Sequence, residues 1–204
     1  MHPIEALPPE TRQRILDGAA RMFCQDGYEG ASMSNIAAQA GVSKGTLYNY
    51  FVSKEALFAA YIEASCNMRM ARLFEGVAET DHIRDGLYLL AQRGLTMMMT
   101  TESVELYRLI VSIAPKFPDL AEIFFQAGPN QALSKMQAFL ERAHSRGQLH
   151  VPDPRFAAEQ FFSLCQSRIC LRRRLNLPED PPEMIEQVIE GAVEMFLKNY
   201  EPKS

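Results

Sequence analysis

Apolar residues return at helical spacing along nearly the whole 204-residue chain, and no segment alternates as a half-buried strand would. Ile15, Ala19, Met22 and Phe23 recur at i, i+4, i+7 and i+8, one face of a first helix. Asp26-Gly27 stops that helix, with glycine expected at the left-handed C-terminal position. A short helix follows, capped by Ser32 and turning Met33, Ile36, Ala37 and Ala40 inward. Gly41-Val42 makes a tight break, and Ser43 caps a second short helix running towards Phe51. Ser53 caps a longer fourth helix. Further helices are expected near 82–99, 102–114, 119–126, 129–146, 154–175 and 181–199, with breaks at Pro115–Pro118 and Gly128-Pro129. Asp153-Pro154 and Asp180-Pro181 read as capped starts, and Asp180 with Glu183 fits a reciprocal capping box. The expected fold class is all-α, about nine helices in total. A three-helix N-terminal domain over 1–54 precedes a larger helical domain over 55–204.

Composition narrows the classes. Hydrophobic residues make up 47% and charged residues 23%, a globular balance that excludes a disordered chain. Formal net charge is -4, so the chain is not a globally basic nucleic-acid coat. Met1 to Glu10 carries two acids and three prolines and lacks the apolar core of a signal peptide. No run approaches the ~18 apolar residues of a membrane helix. A cytoplasmic protein with no membrane partner is expected, with Cys24, Cys66, Cys165 and Cys170 reduced. None of the four makes a CxxC pair, and His2, His82, His144 and His150 fall in no metal or catalytic pattern. No metal, no cofactor and no enzymatic activity are expected.

The informative segment is SMSNIAAQAGVSKGTLYNYFVSKEAL, Ser32 to Leu57. It reads as a helix, a three-residue turn containing glycine, and a second helix. That is the geometry of a helix-turn-helix, whose second helix can enter the major groove. Val42, Leu47 and Phe51 form an apolar side for packing, while Lys44, Thr46, Tyr48, Asn49 and Tyr50 bear outward polar groups. The free amides at that helix's start add phosphate donors.

Arg12 to Leu57 resembles the TetR family of transcriptional regulators. The likeness runs through Ile15-Leu16, Ala19-Ala20, Phe23 and Gly27-Tyr28. It continues in Ile36-Ala37, Ala40-Gly41-Val42-Ser43-Lys44-Gly45-Thr46-Leu47-Tyr48, Tyr50-Phe51 and Ser53-Lys54-Glu55. The stretch Leu109 to Leu120, with Phe124 to Pro129, resembles the AefR-like group of that family. The resemblance implies a homodimer on an inverted-repeat operator in double-stranded DNA, usually a repressor, with a C-terminal domain that binds a small-molecule effector. It implies that Lys44, Gly45 and Thr46 open the recognition helix, Gly45 permitting close approach and Lys44 reaching a guanine edge or phosphate. Tyr48 and Tyr50 then donate hydroxyls to phosphates, Asn49 reads adenine, and Ser32, Ser34, Ser43 and Lys54 lie near the backbone. Ser32 and Ser43 are equally readable as helix caps alone.

Residues 1–55 hold five basic side chains (Arg12, Arg14, Arg21, Lys44, Lys54) against six acidic ones (Glu5, Glu10, Asp17, Asp26, Glu29, Glu55), a net of −1. Phosphate contact must therefore rest on hydroxyls and amides as much as on cations. A stripe of Ile185, Val188, Ile189, Ala192, Met195 and Phe196, with Phe161, Phe162, Cys165, Ile169 and Leu175 on the preceding helix, suits a dimer interface or the chain's own core. Met98, Tyr107, Arg108, Val111, Phe124, Phe125, Phe161, Phe162 and Cys165 are the candidates for an apolar or aromatic effector pocket. Arg172-Arg173-Arg174 reads as a solvated run that complements a helix dipole. A thiol-redox-responsive regulator of the same fold, or an activator, is the alternative.

Overall fold

The computed structural model describes residues 8–202 apart from 78, 79, 81 and 179, the Ser167 side chain excepted. His2 and Glu5 lie outside the described residues. Among those described there are ten α-helices and no strand, with the N-terminal helix-turn-helix and larger C-terminal part that the sequence leads one to expect. The helices are α1 (Pro9–Gly30), α2 (Met33–Ala40), α3 (Lys44–Tyr50), α4 (Lys54–Phe74), α5 (Ile83–Met99), α6 (Thr101–Ile113), α7 (Pro118–Phe125), α8 (Gln131–Ser145), α9 (Pro154–Arg174) and α10 (Pro182–Asn199). They divide into two compact units, one of residues 1–66 with 105–127, the other of 67–104 with 128–204.

The first unit is built on α1. Its apolar side, Ile15, Leu16, Ala19 and Phe23, is buried, and α2 contributes Ile36, Ala37 and Ala40. Gly18 lets the two helices touch, because a Cβ there would lie 3.0 Å from both the Cβ and the backbone nitrogen of Ala40. The α1 helix breaks where Asp26-Gly27 predicts, but Gly27 takes φ 72° and ψ 171° rather than left-handed helical angles. That region is nearly exclusive to glycine. Gly41 does take the left-handed helical conformation, at φ 64° and ψ 37°. Phe23, Tyr28, Phe58 and Phe117 form an aromatic cluster, with ring centroids 4.6 Å apart for Phe23–Phe58 and 4.8 Å for Tyr28–Phe117. The same core takes in Leu106, Ile110, Ile113 and Leu120, so α6 and α7 pack with α1–α4. Lys116, beside Phe117, pairs with Glu29.

The second unit packs α5, α8, α9 and α10 around Leu87, Leu90, Leu95, Met136, Leu140, Phe161 and Phe196. Phe161 meets Phe196 edge-on at 5.2 Å. Asp153 caps α9, accepting from the Phe156 amide at 3.0 Å as its position before proline leads one to expect. The capping box at Asp180 does not form. Pro181 stands at the N-cap of α10, and Asp180 instead pairs with Arg168 at 3.4 Å and Arg172 at 3.2 Å. Two guanidiniums offer a carboxylate more than one exposed amide does. The arginine run is accordingly engaged rather than solvated. Arg172 also donates to the Pro178 carbonyl, and Arg173 donates to the Met99 carbonyl at 3.1 Å and to Thr101 Oγ1 at 3.2 Å. Gly128-Pro129 is not a break either: Gln126–Asn130 forms a π-helical turn joining α7 to α8.

Candidate nucleic-acid interface

The two helices of the motif are each capped by a serine. Ser32 Oγ accepts from the Asn35 amide at 3.1 Å. Ser43 Oγ accepts from the Thr46 amide at 2.9 Å and shares a hydrogen bond with Thr46 Oγ1 at 2.8 Å. Both are helix caps, each satisfying a first-turn amide. Ser53 does the same for α4, taking the Ala56 amide at 3.1 Å.

Within α3, Leu47 is fully buried and Phe51 just after it nearly so. Lys44, Gly45, Tyr48 and Asn49 are exposed, as are Ser34 and Ser43, while Thr46 is half-buried. These residues form one solvent-facing side, and the Lys44 ammonium lies 6.0 Å from the Tyr48 ring centroid. Gly45 has no steric reason to be glycine: an added Cβ would meet only Ser43 Oγ, at 3.8 Å.

Two other motif residues are committed within the chain. The Tyr50 hydroxyl, half-buried, donates to the Pro8 carbonyl at 3.0 Å. Lys54 donates to the carbonyls of Tyr28, Glu29 and Ala31, at 2.8, 3.3 and 3.2 Å, and lies over the Tyr28 ring. Burial raises the Tyr28 phenol pKa, and the charge of nearby Glu55 adds to the rise. Arg14 likewise reaches the carbonyls of Ala40 and Gly41, at 2.9 and 2.8 Å, closing the end of α2. Of the five cations counted in residues 1–55, Arg12, Arg21 and Lys44 stay on the surface and outside such carbonyl clusters. The sequence carries no local sign of this, because the partners of Lys54 and Arg14 lie 23 to 27 residues away.

The expected effector residues fall in both units. Tyr107, Arg108, Val111, Phe124 and Phe125 belong to the first, where Val111 and Phe125 are exposed. Met98, Phe161, Phe162 and Cys165 belong to the second, where Phe161 and Cys165 are core and Met98 and Phe162 pack against it. The expected dimer stripe also divides. Ile169, Ile189, Ala192 and Phe196 are buried in the chain's own core, Ile185 and Val188 are half-buried, and Met195 is 62% exposed. Leu175, expected on that stripe, is exposed, and sequence reading missed Leu171, an exposed apolar residue near the end of α9.

A capped, exposed helix held across a glycine turn on a three-helix core defines a helix-turn-helix DNA-binding protein. Comparison with known proteins gives the family. A model of bacterial regulatory proteins of the tetR family matches residues 15–61, and a model of the AefR-like transcriptional repressor C-terminal domain matches residues 85–202. The chain belongs to the TetR family of transcriptional regulators, whose members are typically repressors. It is similar to the flavonoid-responsive regulator FrrA, with 34% identity and a TM-score of 0.82 over 97% of this chain and 100% of that one. A TetR-family regulator from Mesorhizobium loti superposes with a TM-score of 0.88 at 26% identity, over 97% and 100% of the two chains. The regulator UidR of Escherichia coli K12 is 32% identical over 130 residues, 60% of this chain and 65% of UidR, just under two thirds of its length. No helix among the described residues is long and apolar enough to cross a membrane.

Proposed function

We propose that this chain is a homodimeric repressor that reads an inverted-repeat DNA operator through α3 and is released from it by a small apolar or aromatic effector. The observation that carries the DNA reading is Gly45. Glycine inside a helix costs about 1 kcal/mol relative to alanine, and nothing in the chain needs the space it leaves. An external surface that approaches the backbone supplies the reason, and Lys44, Thr46, Tyr48 and Asn49 flank the same spot. Phosphate contacts come from the exposed hydroxyls of Ser34 and Tyr48 and from the α3 amides that Ser43 leaves open. Tyr50, Lys54 and Ser32 act by positioning, through the hydrogen bonds given above.

The support for an aromatic effector is the likeness to FrrA, which is flavonoid-responsive by name and similar along nearly its whole length. Met98 and Phe162, which pack against the second unit's core, supply matching chemistry there. Dimer contact then falls to the apolar residues that the single chain leaves exposed, Met195, Leu171 and Leu175, with Val188 and Ile185 beside them.

Selection of bound sequences from a random DNA pool tests the reading, run with the wild type and with a Lys44→Ala, Tyr48→Phe variant. An inverted repeat recovered by the wild type and lost by the variant supports it. Enrichment that is equal for both overturns it. Gly45→Ala separates binding from folding: unfolding free energy rises by about 0.5–1 kcal/mol while operator affinity falls. With few phosphate-facing cations, the plot of log Kd against log salt is expected to have a slope smaller in magnitude than about 6 for the dimer. A slope near 10 reveals a cationic surface elsewhere.

The thiol-switch alternative finds little support. Cys165 and Cys170 are each 2% exposed, and burial pushes the Cys165 thiol up to about 12 from the ordinary 9.0. A buried thiol held protonated is a poor nucleophile. Cys24 is exposed, so iodoacetamide is expected to alkylate it first in the native protein, leaving Cys165 unmodified until unfolding. The same shift carries a pH sign. The raised folded pKa stabilises the fold fully below pH 9 and that contribution is lost as pH climbs towards 12. Denaturation midpoints measured from pH 8 to 11 check it.

A further inference from the structure

The second unit contains a cleft of about 770 Å³ between the C-terminal part of α4 and α5, reaching the start of α6. That volume lies within the range of small-molecule sites, ~300–1,000 Å³. Its lining combines apolar, cationic, acidic and neutral polar side chains. Met68, Leu73 and Met97 give an apolar surface, with Leu73 rooted in the core. Arg69, Arg72 and Arg93 give three guanidiniums from two helices.

The arginines are distinguished by their lack of acidic partners. Elsewhere in this unit Arg84 pairs with Glu194, Arg155 with Glu159, and Arg168 and Arg172 with Asp180. Among the described residues, Arg69, Arg72 and Arg93 form no ion pair, although Glu75 and Glu102 line the same cleft. Arg93 donates instead to the backbone carbonyl of Glu75. Three positive charges against two negative ones leave the cleft net positive, in a region whose floor is apolar.

We propose that this cleft is a binding site for an amphiphilic anion, its acidic head held by Arg69, Arg72 and Arg93 and its apolar body lying along Met68, Leu73 and Met97. Guanidinium groups take carboxylate and phosphate alike through paired hydrogen bonds. Methionine side chains adapt to a flexible chain better than branched ones do. The site shares no residue with the effector pocket proposed above, so it stands or falls apart from that reading. Because Arg69 and Arg72 sit on α4, which runs unbroken from Lys54 beside the DNA-binding motif, an occupant touches the helix that follows the motif directly in sequence.

Isothermal titration of the full chain tests this with three ten-carbon probes, each below its micelle concentration: decanoate, decyl phosphate and neutral decanol. Both anions are expected to bind one per chain, and decanol at least tenfold more weakly. The Arg69→Gln, Arg72→Gln variant is expected to weaken anion binding about tenfold or more and leave decanol unchanged. The preferred anion then identifies the head as carboxylate or phosphate. Equal binding of decanol and decanoate, no binding of either anion, or full anion affinity in the variant overturns the proposal. Thr96→Trp is the second variant, filling the cleft without altering its charge. Loss of both anions there supports the site, and unchanged affinity overturns it.

Discussion

Phe58→Ala is expected to lower the unfolding free energy by about 4 kcal/mol. Phe58 is fully buried at the centre of the aromatic cluster, 4.6 Å from Phe23 edge-on, 4.9 Å from Tyr28 and 6.0 Å from Tyr61. Truncation removes the ring's transfer free energy and leaves a void among rings that cannot collapse around it. Edge-to-face pairs add roughly 0.5–1.5 kcal/mol beyond burial. A domain of this size is stable by about 5–15 kcal/mol, so the loss takes a large share of the total. Because the cluster joins α1, α4 and the segment before α7, the destabilisation falls on the whole first unit. Urea denaturation followed by circular dichroism measures it. A loss below about 1 kcal/mol would show that the cluster is far looser than its ring distances imply. Phe58→Leu, which keeps most of the volume, is expected to lose less than half as much.

Gly18→Val is the second large effect, expected to cost about 3 kcal/mol and to abolish operator binding. The position offers no room. A first added carbon sits 3.0 Å from the Ala40 Cβ and 3.0 Å from its backbone nitrogen, and backbone does not swing aside as a side-chain end does. Valine adds two further methyls at the point where α1 and α2 touch. Relief requires α2 to move off α1. That movement also pulls the Ala40 and Gly41 carbonyls from Arg14 and shifts the turn that aims α3. Gly18→Ala is the graded control: the same close contact is partly offset by the ~1 kcal/mol that alanine gains over glycine in a helix. Denaturation and operator titration on both variants check the order, valine worse than alanine worse than glycine. Native stability in the valine variant would mean that α1 and α2 are free to separate.

The helix-turn-helix was legible because its signals are local. Ser32, Ser43 and Ser53 each cap the helix that follows by accepting from the amide three residues ahead, and Gly41 takes the left-handed conformation its place in the turn demands. The buried side of α3 followed from the spacing of Leu47 and Phe51, but Tyr50, read as outward, is half-buried and bound to the Pro8 carbonyl. What escaped depends on distance along the chain. Nothing near Asp180 shows that Arg168 and Arg172 return to it, so the acid beside proline read as a cap. Nothing in α6 or α7 shows that Leu106, Ile110 and Leu120 complete the first unit's core. The stripe on α10 is continuous in sequence yet splits between core and surface, since Met195 and Phe196 are neighbours that point in different directions. The arginine-lined cleft was missed because Arg69 and Arg72 lie on α4 and Arg93 on α5, and nothing in the sequence shows that the two helices meet there.

The carbonyl clusters around Arg14 and Lys54 bear on how such a protein finds its target in a genome. Attachment to random DNA is almost wholly a matter of cations displacing the condensed ions of the phosphate chain. Two of the cations nearest the reading helix are tied to the ends of α1 and α2. If α3 reads DNA as proposed, a molecule so built is expected to hold bulk chromosome weakly and to slide along it only briefly. Most of its search is then expected to pass in free flight between encounters.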